Sequence, residues 1–138
     1  MRRIRNMVRG FTLIEVLIVL AVIAALLAIV TPIALDAVAQ AKAAQVAANF
    51  RNIRAAVEAY FYTTGATPND LNDLVSKGYL SSAPQKFSIN IRPTSDATIT
   101  ITIMASKTVD VDRLKEFIPE VQEESDNITL YATVVKWK

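Results

Sequence analysis

Residues 16–35 form an unbroken run without a charged side chain, and a glutamate, Glu15, stands at its head. About 20 apolar residues in a helix are enough to cross the ~30 Å hydrocarbon core of a bilayer. The run therefore commits the first part of the chain to a membrane helix, and any soluble core must be built from residues beyond it. Ahead of Glu15, Met1-Arg2-Arg3-Ile4-Arg5-Asn6-Met7-Val8-Arg9 holds four arginines and no acid. By the positive-inside rule those arginines stay in the cytoplasm and the chain beyond residue 35 lies outside. A carboxylate in hydrocarbon costs on the order of 2.5–3.5 kcal/mol at a helix centre, less near the interface. A chain that keeps Glu15 at that position has a use for it.

An ordinary secretory signal is the rival reading, because Ala37-Val38-Ala39 forms an A-x-A cleavage site. Against it, the apolar run exceeds the roughly 7–15 residues of such a signal, and Glu15 falls within its start. Composition narrows the chemistry further. The chain has no cysteine and no histidine, which excludes disulfides, thiol catalysis and most zinc sites. No Ser-x-x-Lys motif occurs either, so no catalytic nucleophile is expected, and no cofactor. The four leader arginines more than account for the net charge of +2, leaving a slightly acidic remainder. Such a remainder does not make the basic face that specific nucleic-acid binding requires.

Beyond the apolar run, residues 36–62 contain no glycine or proline and much alanine, so the helix continues, over residues 11–63 in all. Val46, Phe50, Ile53, Val57 and Tyr60 recur every three or four residues, an apolar stripe that a globular part must cover. Phe61 and Tyr62 are expected to join that packing. Pro32 interrupts the helix, removing one hydrogen bond at a cost of ~3 kcal/mol; it is either a static kink or a point where the helix unwinds on demand. Gly65 caps the helix end. Thr67-Pro68-Asn69-Asp70 reads as a capping box for a short helix over residues 68–77, with Leu71, Leu74 and Val75 inward and Gly78 as its stop.

Residues 87–91 and 98–103 alternate apolar and polar as strands, with Pro93-Thr94-Ser95-Asp96 as the turn between them. Ile99, Ile101 and Ile103 are expected to face the long helix, with the threonines outward. Residues 110–118 read as a helix with Val111, Leu114 and Phe117 inward, residues 120–126 as an acidic loop, and Asn127–Val135 as a last strand. Asp110, Asp112 and Glu116 offer oxygens of the kind calcium takes, although acids also suit the first turn of a helix. The fold expected is α+β: a long N-terminal helix, transmembrane in its first half and kinked at Pro32, packed in its second half on a small antiparallel sheet.

The leader and Gly10-Phe11-Thr12-Leu13-Ile14-Glu15 resemble the class III signal of bacterial type IV pilins and type II secretion pseudopilins. The likeness is specific over residues 1–35 and looser through the alanine-rich helix and the segment from Pro68 to Leu80. It implies a pilin-like fold and an inner-membrane precursor with three parts: a removable leader (1–10), a transmembrane and polymerisation segment (11–35) and a globular domain (36–138). It further implies that a prepilin peptidase cuts after Gly10 and methylates Phe11, that Glu15 pairs with the Phe11 amine of an adjoining subunit, and that Pro32 marks where assembled helices partly unwind. The implied partners are copies of the same chain in a homopolymer filament, the peptidase, an inner-membrane assembly platform with minor pilins, and membrane lipid before assembly. The product is then a cell-surface filament or, for a pseudopilin, a periplasmic one.

Two features depart from the family. Ala24 occupies a place where many relatives have glycine, so unwinding either rests more on Pro32 or is less extensive. The C-terminal region has no disulfide, leaving strand pairing by residues 127–135 to hold it. The sequence lacks the acidic calcium-loop pattern of the major pseudopilin, which favours a pilin over a pseudopilin. A minor or competence pilin, or a membrane-anchored periplasmic binding domain that does not assemble, are the remaining readings.

Overall fold

The computed structural model describes residues 10–95 and 97–135; the leader residues 1–9, Asp96 of the expected turn, and residues 136–138 lie outside that description. Seven elements are arranged in order: α1 (Leu13–Thr64), α2 (Leu71–Ser76), β1 (Phe87–Ser95), β2 (Thr98–Ser106), α3 (Val111–Phe117), β3 (Val121–Glu124) and β4 (Asn127–Val135). The chain divides into two units, Met1–Val38 and Ala39–Lys138.

In the first unit α1 continues through Pro32 without a break in the helix. Every leucine, isoleucine and valine from Leu13 to Leu35 is exposed. This is the one described helix long and apolar enough to cross a membrane. None of the described residues covers that surface, as expected when lipid or other helices are its solvent.

The second unit holds the core. Phe50, Ile53 and Val57 are fully buried and Tyr60 nearly so, with Val46 half-buried at the head of the stripe. Ala43, Ala47, Ala56 and Phe61 widen it. Opposite lies a four-stranded antiparallel sheet in the order β1-β2-β4-β3. Ile99, Ile101 and Ile103 of β2 and Ile128, Leu130, Ala132 and Val134 of β4 are buried in the same cluster. The threonines of β2 alternate with its isoleucines and are half-buried rather than free in solvent. Thr94 and Thr100 bond through their hydroxyls at 2.9 Å.

Five expectations are corrected. The capping box of α2 sits three residues later than expected: Asp70 is the N-cap, accepting from the Asp73 amide at 2.8 Å, while the Asp73 carboxylate reaches back to the Asn69 amide at 3.4 Å. An aspartate caps at least as well as a threonine, and Leu71 and Leu74 are buried in the helix that starts there. Asp70→Ala is expected to lower stability by about 0.5–2 kcal/mol, and Thr67→Ala by less than about 0.5 kcal/mol; urea denaturation of the two variants checks this. Second, Pro93, Thr94 and Ser95 belong to β1, which is irregular between Pro93 and Ser95. Proline is tolerated there because β1 is an edge strand.

Third, the acidic stretch is not all loop. Val121–Glu124 pairs with β4 as β3, and Ser125-Asp126 makes the two-residue connection with Ser125 at φ 53°. Fourth, Tyr62 is exposed rather than in the core, and its hydroxyl donates to the Val135 carbonyl at 3.1 Å. Fifth, Phe117 is only half-buried. The C-terminal strand is held without a disulfide by pairing with β2 on one side and β3 on the other.

Helix ends are satisfied locally. Gly65 adopts φ 71° and its amide bonds the Phe61 carbonyl at 2.9 Å; Gly78 at φ 79° closes α2. The Arg51 guanidinium donates to the Phe117 carbonyl at 2.6 Å, fixing the end of α3, and Gln40 donates to Glu116 at 3.0 Å. Asp110 caps α3 by accepting from the Asp112 amide at 3.0 Å. Asp110 and Glu116 are thus engaged in hydrogen bonds, and among the described residues no group of three His, Cys, Asp or Glu is placed to hold a metal. Lys107 pairs with Glu123, a contact that holds its amine above the ordinary lysine value.

Candidate functional site

Three of the residues singled out for processing and assembly, Gly10, Phe11 and Glu15, lie together at the head of α1. Gly10 and Phe11 precede the helix in exposed, non-helical backbone, with Phe11 90% exposed. A β-carbon placed on Gly10 would meet no atom within 4 Å. The chain's own packing therefore does not require glycine there, and any requirement comes from whatever approaches that peptide bond.

Thr12 and Glu15 close the helix start as a reciprocal capping box. The Thr12 hydroxyl accepts from the Glu15 amide at 3.3 Å, and the Glu15 carboxylate accepts from the Thr12 amide at 2.7 Å and from its hydroxyl at 2.8 Å. Two of the amide donors that every helix start leaves without partners are thereby satisfied. A carboxylate in the first turn also complements the positive end of the helix dipole. Thr12 is a site residue that the sequence reading misses. Its signal is a Ser/Thr-x-x-Asp/Glu spacing ahead of an apolar run, masked here because a glutamate facing lipid draws notice as a charge rather than as half of a cap.

Pro32 is not part of this site. It stands seventeen residues beyond Glu15 on the same helix, about 25 Å away at 1.5 Å per residue. Just before it, the Thr31 hydroxyl donates to the Leu27 carbonyl at 2.7 Å. Back-bonding of this kind weakens and bends helices slightly, so two successive residues loosen the same turn.

An exposed Gly-Phe junction, a capped glutamate five residues after the glycine and an apolar helix behind it together form a recognisable signal. Residues 5–31 match the model of the prokaryotic N-terminal methylation motif. This is the class III signal of type IV pilins and pseudopilins, and here it leads into a pilin-like layout of long helix and four-stranded sheet. No curated protein and no solved structure matches the chain. The methylation motif takes in Gly10, Phe11, Thr12 and Glu15 and ends one residue before Pro32. It supports a precursor of the pilin or pseudopilin kind.

Proposed function

We propose that the chain is a structural subunit of a type IV pilus. A prepilin peptidase removes residues 1–10, Phe11 becomes the methylated N-terminus, and residues 11–35 pass from the inner membrane into the core of a filament made of copies of the chain. Residues 36–138 form the part displayed outside. Carrying this reading is the juxtaposition at the head of α1, where an exposed scissile bond lies beside a carboxylate on a helix whose leucines, isoleucines and valines are all exposed from Leu13 to Leu35. Cleavage after Gly10 turns the Phe11 amide into a cation. Glu15 then has an opposite charge available on a neighbouring copy, and that pairing sets the stagger between helices. Thr31 and Pro32 supply the turn at which α1 yields during packing.

Mass spectrometry of the mature protein tests the reading. It predicts an N-methylated Phe11 at the N-terminus; an intact leader, or a start at Gln40, refutes it. A pseudopilin shares this processing. Sheared surface fibres that contain the chain identify a pilus subunit, whereas their absence alongside lost secretion in a deletion strain identifies a pseudopilin.

A further inference from the structure

Within the second unit, one face of α1 and the segment 79–84 enclose an open groove of about 500 Å³. That volume lies within the ~300–1,000 Å³ range of small-molecule sites. No lysine, arginine, aspartate or glutamate lines it. Four neutral polar side chains do: Asn49 and Asn52 from the helix, and Ser81 and Ser82 from the facing segment. Among the described residues none of these four side chains makes a hydrogen bond within the chain, so their donors and acceptors are available to a ligand. Ala55 and Ala59 form a low floor of exposed methyl groups between them.

The wall opposite is fixed. Tyr79 bonds Thr63 through the two hydroxyls at 2.6 Å and packs edge-on against Tyr60, with ring centroids 5.3 Å apart. Lys77 donates to the Tyr60 hydroxyl at 2.6 Å, which holds its amine above the ordinary lysine value. Tyr79, which forms one wall of the groove, is thus held in place by contacts within the chain.

We propose that this groove binds a neutral saccharide of about disaccharide size. Amide and hydroxyl groups each donate and accept, which matches sugar hydroxyls that do both. The alanine floor fits the apolar C–H face of a pyranose ring. The uncharged lining offers no counter-ion, so an anionic ligand would lose hydration without recompense. This inference concerns the unassembled subunit and stands whether or not the chain polymerises.

The test is NMR titration of the ¹⁵N-labelled full chain, in micelles of a detergent without a sugar head group. The probes are cellobiose, maltose and N,N′-diacetylchitobiose, with digalacturonate as the charged control. At least one neutral probe is expected to saturate shifts at Asn49, Asn52, Ser81 and Ser82 with a Kd on the order of 1 mM. Asn52→Ala, an exposed position whose loss leaves the core intact, is expected to weaken that binding about five- to tenfold, the effect of losing about one neutral hydrogen bond. No saturable shifts with any neutral probe, shifts unchanged in Asn52→Ala, or digalacturonate binding as tightly as the neutral sugars would each overturn the proposal.

Discussion

Glu15→Ala is expected to leave cleavage after Gly10 intact and to abolish filaments. The capping box adds a complication, because alanine removes two things at once: the charge, and the acceptor that satisfies the Thr12 amide at 2.7 Å. Glu15→Gln separates them. Glutamine fills the same place in a capping box, since its side-chain oxygen accepts the Thr12 amide equally well, but it carries no charge for a neighbour's Phe11 amine. Removing one partner of a buried ion pair costs about 3–5 kcal/mol, or upward of about a hundredfold in an association equilibrium at ~1.4 kcal/mol per decade. The loss of a cap costs only about 0.5–2 kcal/mol. If intersubunit pairing is the role of Glu15, alanine and glutamine variants fail alike, and sheared fibre yield falls to background in both. Wild-type fibre yield from Glu15→Gln would reduce Glu15 to a helix cap. Thr12→Val, which keeps the backbone amide but loses the hydroxyl, is expected to assemble with reduced yield.

How much of this was legible in the sequence depends on how far apart the interacting residues lie. The apolar run, the stripe from Val46 to Tyr60 and the alternation in β2 and β4 are written in local periodicity, and the structure matches them closely. The strand β4 keeps the expected bounds, Asn127–Val135. By contrast β3 was unreadable. Val121-Gln122-Glu123-Glu124 has one apolar residue and no Asn-Gly or Asp-Gly after it, the signal that marks a tight hairpin. It becomes a strand because β4 offers it a partner, with Ser125 tolerating a positive φ. At the α2 start two caps competed. Thr67 followed by a proline has the stronger sequence signal, yet the helix starts at Asp70, whose carboxylate accepts the Asp73 amide. At the candidate site, the chemistry of Gly10, Phe11 and Glu15 was readable as a motif, whereas Thr12 mattered through a short contact that the structure made plain.

Phe50→Ala is expected to be the most damaging single truncation in the globular part. Phe50 has no exposed surface, and its ring meets Phe87 of β1 edge-on, with centroids 5.1 Å apart at 71°. It therefore joins α1 to the edge strand farthest from β4. Burial of this kind, together with the cavity left behind, makes Phe→Ala cost about 3–5 kcal/mol, roughly a fifth or more of a domain whose total stability is ~5–15 kcal/mol. Gln45→Ala, on the exposed side of the same helix, is expected to change stability by less than about 0.5 kcal/mol. Urea unfolding followed by tyrosine fluorescence measures both; a Phe50→Ala cost below about 1.5 kcal/mol would mean that the helix is not docked through this residue. The contrast with Glu15 also divides the two units by function. The leader and residues 11–35 carry everything the peptidase needs under the proposed reading, so Phe50→Ala is still cut after Gly10 but gives a destabilised, more protease-sensitive domain. Glu15→Ala gives the reverse, a folded domain on a processed helix that does not polymerise.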